Sequence, residues 1–352
     1  MKKDSGGLKA RSAGERLAAV RSFCNSAAGK EEKMATLQPL LNDRSNLVVA
    51  EVVKGLAALE EPGVVPALAA TYLRLAEDGP KRDAGCRTRL AIVEALPKLR
   101  AIEAADILHH AIKTVQVERS GCGFEDMAVP LRAQAAAAMA SLRCRGALPA
   151  ISLLLFDMKA HAPHAPEDRL FSNMAARLAA AESLAVLGDP GGVAVLAVKL
   201  ALHEEETAEV IVACFDALAE LDAEMALEQL PPFLHHHDAY IVAGAATALA
   251  SLPAVYQPKV LELLAERVEK AGSTIVAPTA AFTAAAHTAT ADTVTALTLA
   301  IAAIRSENAV TVLEGLAGHS LRQIRTAAIA ALRQRSDQAA AEVLQRLEHR
   351  HR

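Results

Sequence analysis

Tryptophan is absent from this sequence, and only seven phenylalanines and three tyrosines occur in 352 residues. A core made without large aromatic rings must come from Ala, Leu, Val and Ile, which suit thin, closely spaced helices of high intrinsic propensity. The five cysteines, Cys24, Cys86, Cys122, Cys144 and Cys214, are scattered, odd in number and without a CxxC pair. That usage fits reduced thiols in a cytoplasmic protein rather than a disulfide framework. No apolar stretch follows the basic residues of the opening MKKDSGGLKA, so no secretion signal is read. Walker, GxGxxG, HExxH and GxSxG motifs are missing too, and no strand is expected that would carry a glycine-rich phosphate loop.

Charge is nearly balanced, with 37 Lys and Arg against 41 Asp and Glu, a net charge of -4 and a pI near 6.3. Duplex affinity comes largely from cations neutralising phosphates, so no nucleic-acid partner is expected. The halves differ: residues 1–176 hold 24 Lys and Arg against 20 Asp and Glu, and residues 177–352 hold 13 against 21. Between Lys270 and Asp292 runs a 21-residue stretch free of charge. Its Thr, Ser, Pro and His content is too polar for a membrane span, so a buried helix pair is expected there and no membrane insertion.

Internal repetition decides the fold. The clearest unit is Arg177–Leu202, an Ala/Leu helix, a Gly-Asp-Pro-Gly-Gly turn and a second apolar helix. Similar units begin at Leu47, Arg89, Arg132, Glu209, Tyr240 and Ile324. The last leucines of the first helices, Leu59, Leu99, Leu142, Leu187, Leu221 and Leu252, are 40, 43, 45, 34 and 31 residues apart. Two helices per period of this size describe an all-α solenoid of stacked antiparallel hairpins, a superhelix of about eight repeats. Residues 1–10 are expected to be a disordered N-terminus and 11–352 a single array, capped by residues 11–28 and by the charged segment from Gln338. The register over 274–306 stays open between one degenerate repeat and a repeat with an extra helix.

The run from Arg177, R-x-x-A-A-x-x-L-x-x-L-G-D-P, resembles the HEAT repeat in the short form known from phycobilisome lyases and many bacterial proteins. The resemblance covers roughly residues 30–350. The segments EDGPKRDAGCRTRLAIVEAL and KTVQVERSGCGFEDMAVPLRAQAAAAM are similar to a group of bacterial HEAT proteins. It implies a fold and no activity. In that grammar a helix A leads through a turn to a helix B that often starts with Arg and usually lines the concave surface.

Three adjacent repeats are enlarged between A and B, at 77–86, 117–130 and 159–173, so the three loops should emerge side by side from one edge. They and the arginines next to them are the candidate binding site: Lys81, Arg82, Arg89, Arg119, Phe124, Arg132, Arg169 and Arg177. Arg89, Arg132 and Arg177 each lie seven residues before an apolar residue of helix B and should form a ladder, repeated at Arg325. A guanidinium fork serves either of two roles, pairing across repeats as HEAT arginines do or facing a ligand.

Metal binding needs three or four converging ligands. Cys86, Cys122, His161 and His164 share the enlarged loops and are the candidate zinc set, while His235, His236 and His237 read as a solvated turn. Cys122, beside Arg119, and Cys144, between Arg143 and Arg145, read as reactive but incidental thiols. HEAT-fold deoxyhypusine hydroxylases use several His-Glu dipeptides, and only His203-Glu204 has that form here. HEAT-like DNA glycosylases need a basic, aromatic groove that this composition does not supply. The reading is therefore a non-enzymatic scaffold without cofactor, binding a protein partner on the concave face or the loop edge. A metal- or chromophore-carrying protein of phycobilin-lyase type and a purely structural spacer are the alternatives.

Overall fold

The computed structural model describes residues 8, 10–121, 123–159, 161, 172–276 and 284–350. The chain separates into two compact units, Met1–Gly192 and Val193–Arg352. The first holds α1 (Ala13–Cys24), α2 (Lys30–Leu37), α3 (Asn46–Ala57), α4 (Val65–Ala76), the short α5 (Gly79–Arg82), α6 (Arg87–Lys98), α7 (Ala105–Ala111), α8 (Val129–Ser141), α9 (Ala147–Leu155) and α10 (Met174–Leu187). α11 (Gly191–Ala201) begins at the boundary. The second unit continues with α12 (Ala208–Leu221), α13 (Ala223–Gln229), α14 (Ala239–Ala250), α15 (Gln257–Val276), α16 (Ala284–Ala303), α17 (Glu307–Ala317), α18 (Arg322–Gln334) and α19 (Gln338–Arg350).

The architecture is an all-α solenoid. Among the described residues helices follow one another in pairs, α1 with α2, α3 with α4, α6 with α7 and α8 with α9 in the first unit, which α10 ends, and α12 with α13, α14 with α15, α16 with α17 and α18 with α19 in the second. In the first unit the B helices α1, α3, α6, α8 and α10 pack side by side in chain order, and in the second α12, α14, α16 and α18 do the same. Small side chains make this possible. α8 buries Ala135, Ala136, Ala138 and Ala140, and α10 buries Ala176, Ala180 and Ala181 against it. Backbones lined with alanine approach closely, which is why a chain so poor in aromatic rings can still fill its core.

The aligned leucines mark a shared device. The residue after each of Leu59, Leu99, Leu142 and Leu187 has a left-handed backbone: Glu60 (φ 56°), Arg100 (φ 52°), Arg143 (φ 50°) and Gly188 (φ 65°). After α6 and α8 the next amide reaches back five residues to close the helix, Ala101 N to Leu96 O and Cys144 N to Met139 O, both at 3.0 Å. This is a Schellman stop. Three of the four positions lack the glycine that favours it, at a cost of order 1 kcal/mol each. Other stops and starts rely on side chains, as where Asp222, Asp238 and Ser306 cap α13, α14 and α17.

Over 274–306 the structure places α15, then α16 in the B position paired with α17, without an extra helix among the described residues. Part of the uncharged stretch, 277–283, lies outside them. No helix among the described residues is long and apolar enough to cross a membrane.

Candidate functional site

The enlarged connections all lead from an A helix to a B helix: α4 to α6, α7 to α8 and α9 to α10. The first is not irregular, since α5 and a 3-10 turn at Ala84–Cys86 occupy it. The second corrects the expectation that no strand occurs. β1 (Val117–Ser120) and β2 (Gly123–Asp126) form an antiparallel hairpin with Arg119 opposite Phe124. Gly121, with φ at 54°, supplies the positive backbone angle that a tight hairpin turn needs. Four residues per strand, with four of the eight charged, are too short and too polar to stand out as an alternating apolar pattern. Of the third connection, residues 160 and 162–171 lie outside the described residues, and Arg169 and His164 with them.

Arginines from the B helices are buried beneath these connections. Arg89, Arg132 and Arg177 are 2%, 1% and 0% exposed, so none offers its guanidinium to the outer surface. Arg89 Nε donates to Asp83 Oδ2 at 3.1 Å, and Nη2 donates to Gln116 Oε1 and to Cys86 Sγ. Asp83, wholly buried, also accepts the amides of Thr88 and Arg89. Gln116 Nε2 in turn donates to Asp83 O at 3.0 Å, and Gly85 N donates to Glu118 Oε1 at 2.8 Å. The first and second connections are thus tied together by buried polar groups.

Arg132 ties the second to the third. Its Nη1 donates to Thr114 O at 2.7 Å and its Nη2 to Asn173 Oδ1 at 2.8 Å. Asp126 Oδ2 lies 2.7 Å from Nη1 but outside hydrogen-bond angles, so that contact is an ion pair by proximity alone. Oδ1 of the same carboxylate accepts Gln116 N and Ala128 N, both at 3.0 Å. Arg177 Nη1 reaches Asp157 O at 3.4 Å. Arg325, half-buried, bonds instead to the carbonyls of His319 and Ser320 in its own connection. The ladder is therefore a set of internal ties, and the partners Asp83, Gln116, Asp126 and Asn173 are the site residues that sequence reasoning missed. A signal existed: Asp83 and Asp126 each stand six residues before their arginine.

Four of the candidate binding residues do face outward. Lys81, at 84% side-chain exposure, pairs with Asp78 at 3.2 Å, and Arg82 pairs with Glu77. Arg119 and Phe124 are exposed and face one another across the hairpin. Between α5 and the segment after α7 a cavity of about 350 Å³ opens, lined in part by Gly79, Arg89, His110, Lys113, Thr114 and Gln116. At Gly79 an added Cβ would lie 2.1 Å from Gln116 Oε1 and 2.8 Å from Arg89 Nη2, so a larger residue would displace the bonded ends of that pair. On the B-helix side of this unit a groove of about 270 Å³ runs among Leu17, Leu47 and Leu90, with Arg21 and Glu51 paired at 3.3 Å.

The candidate zinc set is not brought together among the described residues. Cys86 is 1% exposed, and burial pushes its thiol up to about 12 despite Arg89. His161 Nε2 lies 3.1 Å from Asp157 Oδ2. Cys122 and His164 lie outside the described residues, within which no group of three or more His, Cys, Asp or Glu is placed to hold a metal. Cys144 corrects its reading as a reactive thiol: it is 5% exposed, and burial raises its pKa.

The histidines at 235–237 are more than a solvated turn. The His236 ring lies tilted against His237 with ring centroids 4.2 Å apart and meets His203 edge-on at 5.7 Å, and its Nδ1 accepts Asp238 N at 3.0 Å. Burial first, then His237 and His203, lowers the His236 pKa, while Asp238 opposes the shift. A histidine whose pKa is lower folded than unfolded adds stability that is complete above about pH 6.5 and is lost as pH falls through the folded value. Thermal melts between about pH 7 and pH 5 should show the second unit losing stability, with a shallower loss in His236→Asn. Identical pH profiles for the two proteins would contradict this.

No family model matches the sequence, and no curated protein does. Among solved structures the chain is similar to the karyopherin Kap121p. Bound to the SUMO protease Ulp1p, that protein gives a TM-score of 0.52 at 13% identity, covering 97% of this chain and 37% of that one. Bound to the extreme C-terminus of the phosphatase Cdc14p, it gives 0.51 at 13%, covering 96% and 37%. The chain thus spans little more than a third of the karyopherin's length. The CpcE–CpcF complex of phycocyanin lyase from Nostoc sp. PCC7120 is also similar, at a TM-score of 0.37 and 22% identity over 80% of this chain and 94% of that one. The karyopherin likeness shows a HEAT-like helical solenoid.

Proposed function

We propose that this chain is a non-enzymatic scaffold that presents the loop edge of its first unit to a partner protein. The observation that carries the reading is the buried network beneath that edge. Arg89, Asp83, Gln116, Arg132, Asp126 and Asn173 fix three successive connections to one another, with Arg89 and Asp83 at 2% and 0% side-chain exposure. Burying charge is costly and adds little net stability, so its effect is to hold one conformation. Loops that merely bridge helices do not require it. The result is a rigid platform carrying Lys81, Arg82, Arg119 and Phe124, and rigidity lowers the entropic cost of association.

Fold-level likeness supports the reading by analogy alone. Kap121p is described bound to the extreme C-terminus of one protein, Cdc14p, and to another, Ulp1p. The short HEAT form, bacterial origin and a cytoplasmic setting belong to the same proposal and rest on the sequence pattern and the dispersed cysteines. A metal- or pigment-carrying protein would instead show stoichiometric metal or visible absorbance after purification.

The test is site-specific photo-crosslinking from position 124, with position 255 as control because Val255 is 77% exposed and lies in the other unit. A partner captured from position 124, absent from 255 and lost in Arg119→Glu supports the scaffold. Equal capture at both positions, or capture unaffected by Arg119→Glu, contradicts it.

A further inference from the structure

The hairpin between α7 and α8 leaves main-chain groups unpaired. Met127 N donates to Gln116 O at 2.8 Å just beyond the ladder, which sets the alternation within it. Glu118 and Glu125 therefore exchange both main-chain hydrogen bonds, while Val117 and Arg119 on β1, and Phe124 and Asp126 on β2, turn N–H and C=O outward. No described residue bonds the outward groups of Phe124 or Asp126. β2 is the open edge: Gly123, Phe124 and Glu125 are exposed, whereas all of β1 but Arg119 is half-buried. A two-stranded ribbon is marginal by itself, and an edge of this kind is a template for a third strand.

Charge selects the occupant. Glu118 and Glu125 stand directly opposite one another on one face of the ladder. Glu118 accepts Gly85 N and Gln116 Nε2, both neutral donors, and neither carboxylate has an ion pair among the described residues. Like charges opposite one another in a sheet repel, so this face lacks a cation. The other face carries Phe124, 42% exposed, which offers apolar surface to a β-branched side chain on a neighbouring strand. A second copy of the chain fits poorly, because the antiparallel register that joins Phe124 to Asp126 in both directions sets Glu125 against Glu125.

We propose that β2 is a docking edge for an extended segment of the partner protein, in which a Lys or Arg facing Glu125 is flanked by apolar residues on the Phe124 side. It rests on the scaffold reading and names the partner's conformation and charge. The added strand takes its affinity from main-chain hydrogen bonds at Phe124 and Asp126, and its specificity from the side chains on either face.

The test is a titration of the full chain, followed by amide chemical shifts, with acetyl-Thr-Val-Lys-Val-Thr-amide. With its lysine opposite Glu125, both valine N–H groups point at β2 and the lysine N–H points away. The amides of 123–126 should shift. N-methylation of both valines should raise the Kd about tenfold or more, and N-methylation of the lysine should change it by less than about threefold. Glu125 is exposed, so Glu125→Lys keeps the fold. That variant should weaken the lysine peptide about fivefold or more and gain binding to the counterpart with glutamate in place of lysine. Absence of shifts at 123–126, equal effects of the two methylations, or Kd values indifferent to Glu125→Lys would overturn the proposal, as would a dimer in sedimentation that the peptide dissociates. If the peptide binds in this manner while crosslinking at position 124 fails, the scaffold reading falls and the strand edge stands. If crosslinking succeeds and the peptide shows no dependence on its valine N–H groups, the strand edge falls alone.

Discussion

Replacing Arg132 with methionine is expected to lower the unfolding free energy of the first unit by about 3–5 kcal/mol. Methionine keeps much of the volume, so the loss isolates charge and hydrogen bonds from packing. Removing the guanidinium leaves Asp126, 6% exposed, without its cation, and leaves Thr114 O and Asn173 Oδ1 without their donor. Two backbone amides still hold Asp126 Oδ1, which places the expected loss toward the lower end of that range. Chemical denaturation followed by far-UV circular dichroism measures it, tryptophan fluorescence being excluded by composition. A loss below about 1 kcal/mol, the scale of an exposed ion pair, would show that the network does not hold the loop edge.

The second unit carries its own buried pair, Lys199 with Glu206, at 2% and 0% side-chain exposure. Lys199→Met alone is expected to cost about 3–5 kcal/mol, because it strands the Glu206 carboxylate. The double variant with Glu206→Leu should recover to within about 1 kcal/mol of the parent or exceed it, since an apolar pair escapes the desolvation of two charges. A double-mutant cycle reads the coupling directly. Burial also pushes Cys214 beside them up to about 12, so its thiol should report unfolding by becoming reactive only when this region opens. Additive losses in the cycle would contradict the coupling.

The solenoid was legible because its evidence is periodic. The leucines at 59, 99, 142 and 187 announced the ends of the B helices, and the structure shows why that position recurs: the next residue turns left-handed and stops the helix. The enlarged connections were legible as interruptions of the same period. Their interior was not. The hairpin at 117–126 spans too few residues for alternation to show, and its charged residues read as loop. Arg89 and Arg132 drew notice as cations near a loop, whereas their roles depend on Asp83, Gln116, Asp126 and Asn173, which converge only after folding. The recurrence of Asp six residues before Arg was present in the sequence, but spacing alone does not tell a buried pair from an exposed one. Cys144 misled for a related reason: flanking arginines suggest a thiolate, and burial reverses the suggestion.

In the proposed scaffold the loop edge of the first unit is a built surface rather than a set of solvated connections. Native-state hydrogen exchange at Gly85, Thr88, Gln116 and Ala128 tests it most directly, because the amides of these four residues donate to side-chain carboxylates of the network. Protection close to that of the α6 and α8 helices is expected, falling together in Arg132→Met. Exchange at the rates of an unstructured chain, with α6 and α8 still protected, would contradict it.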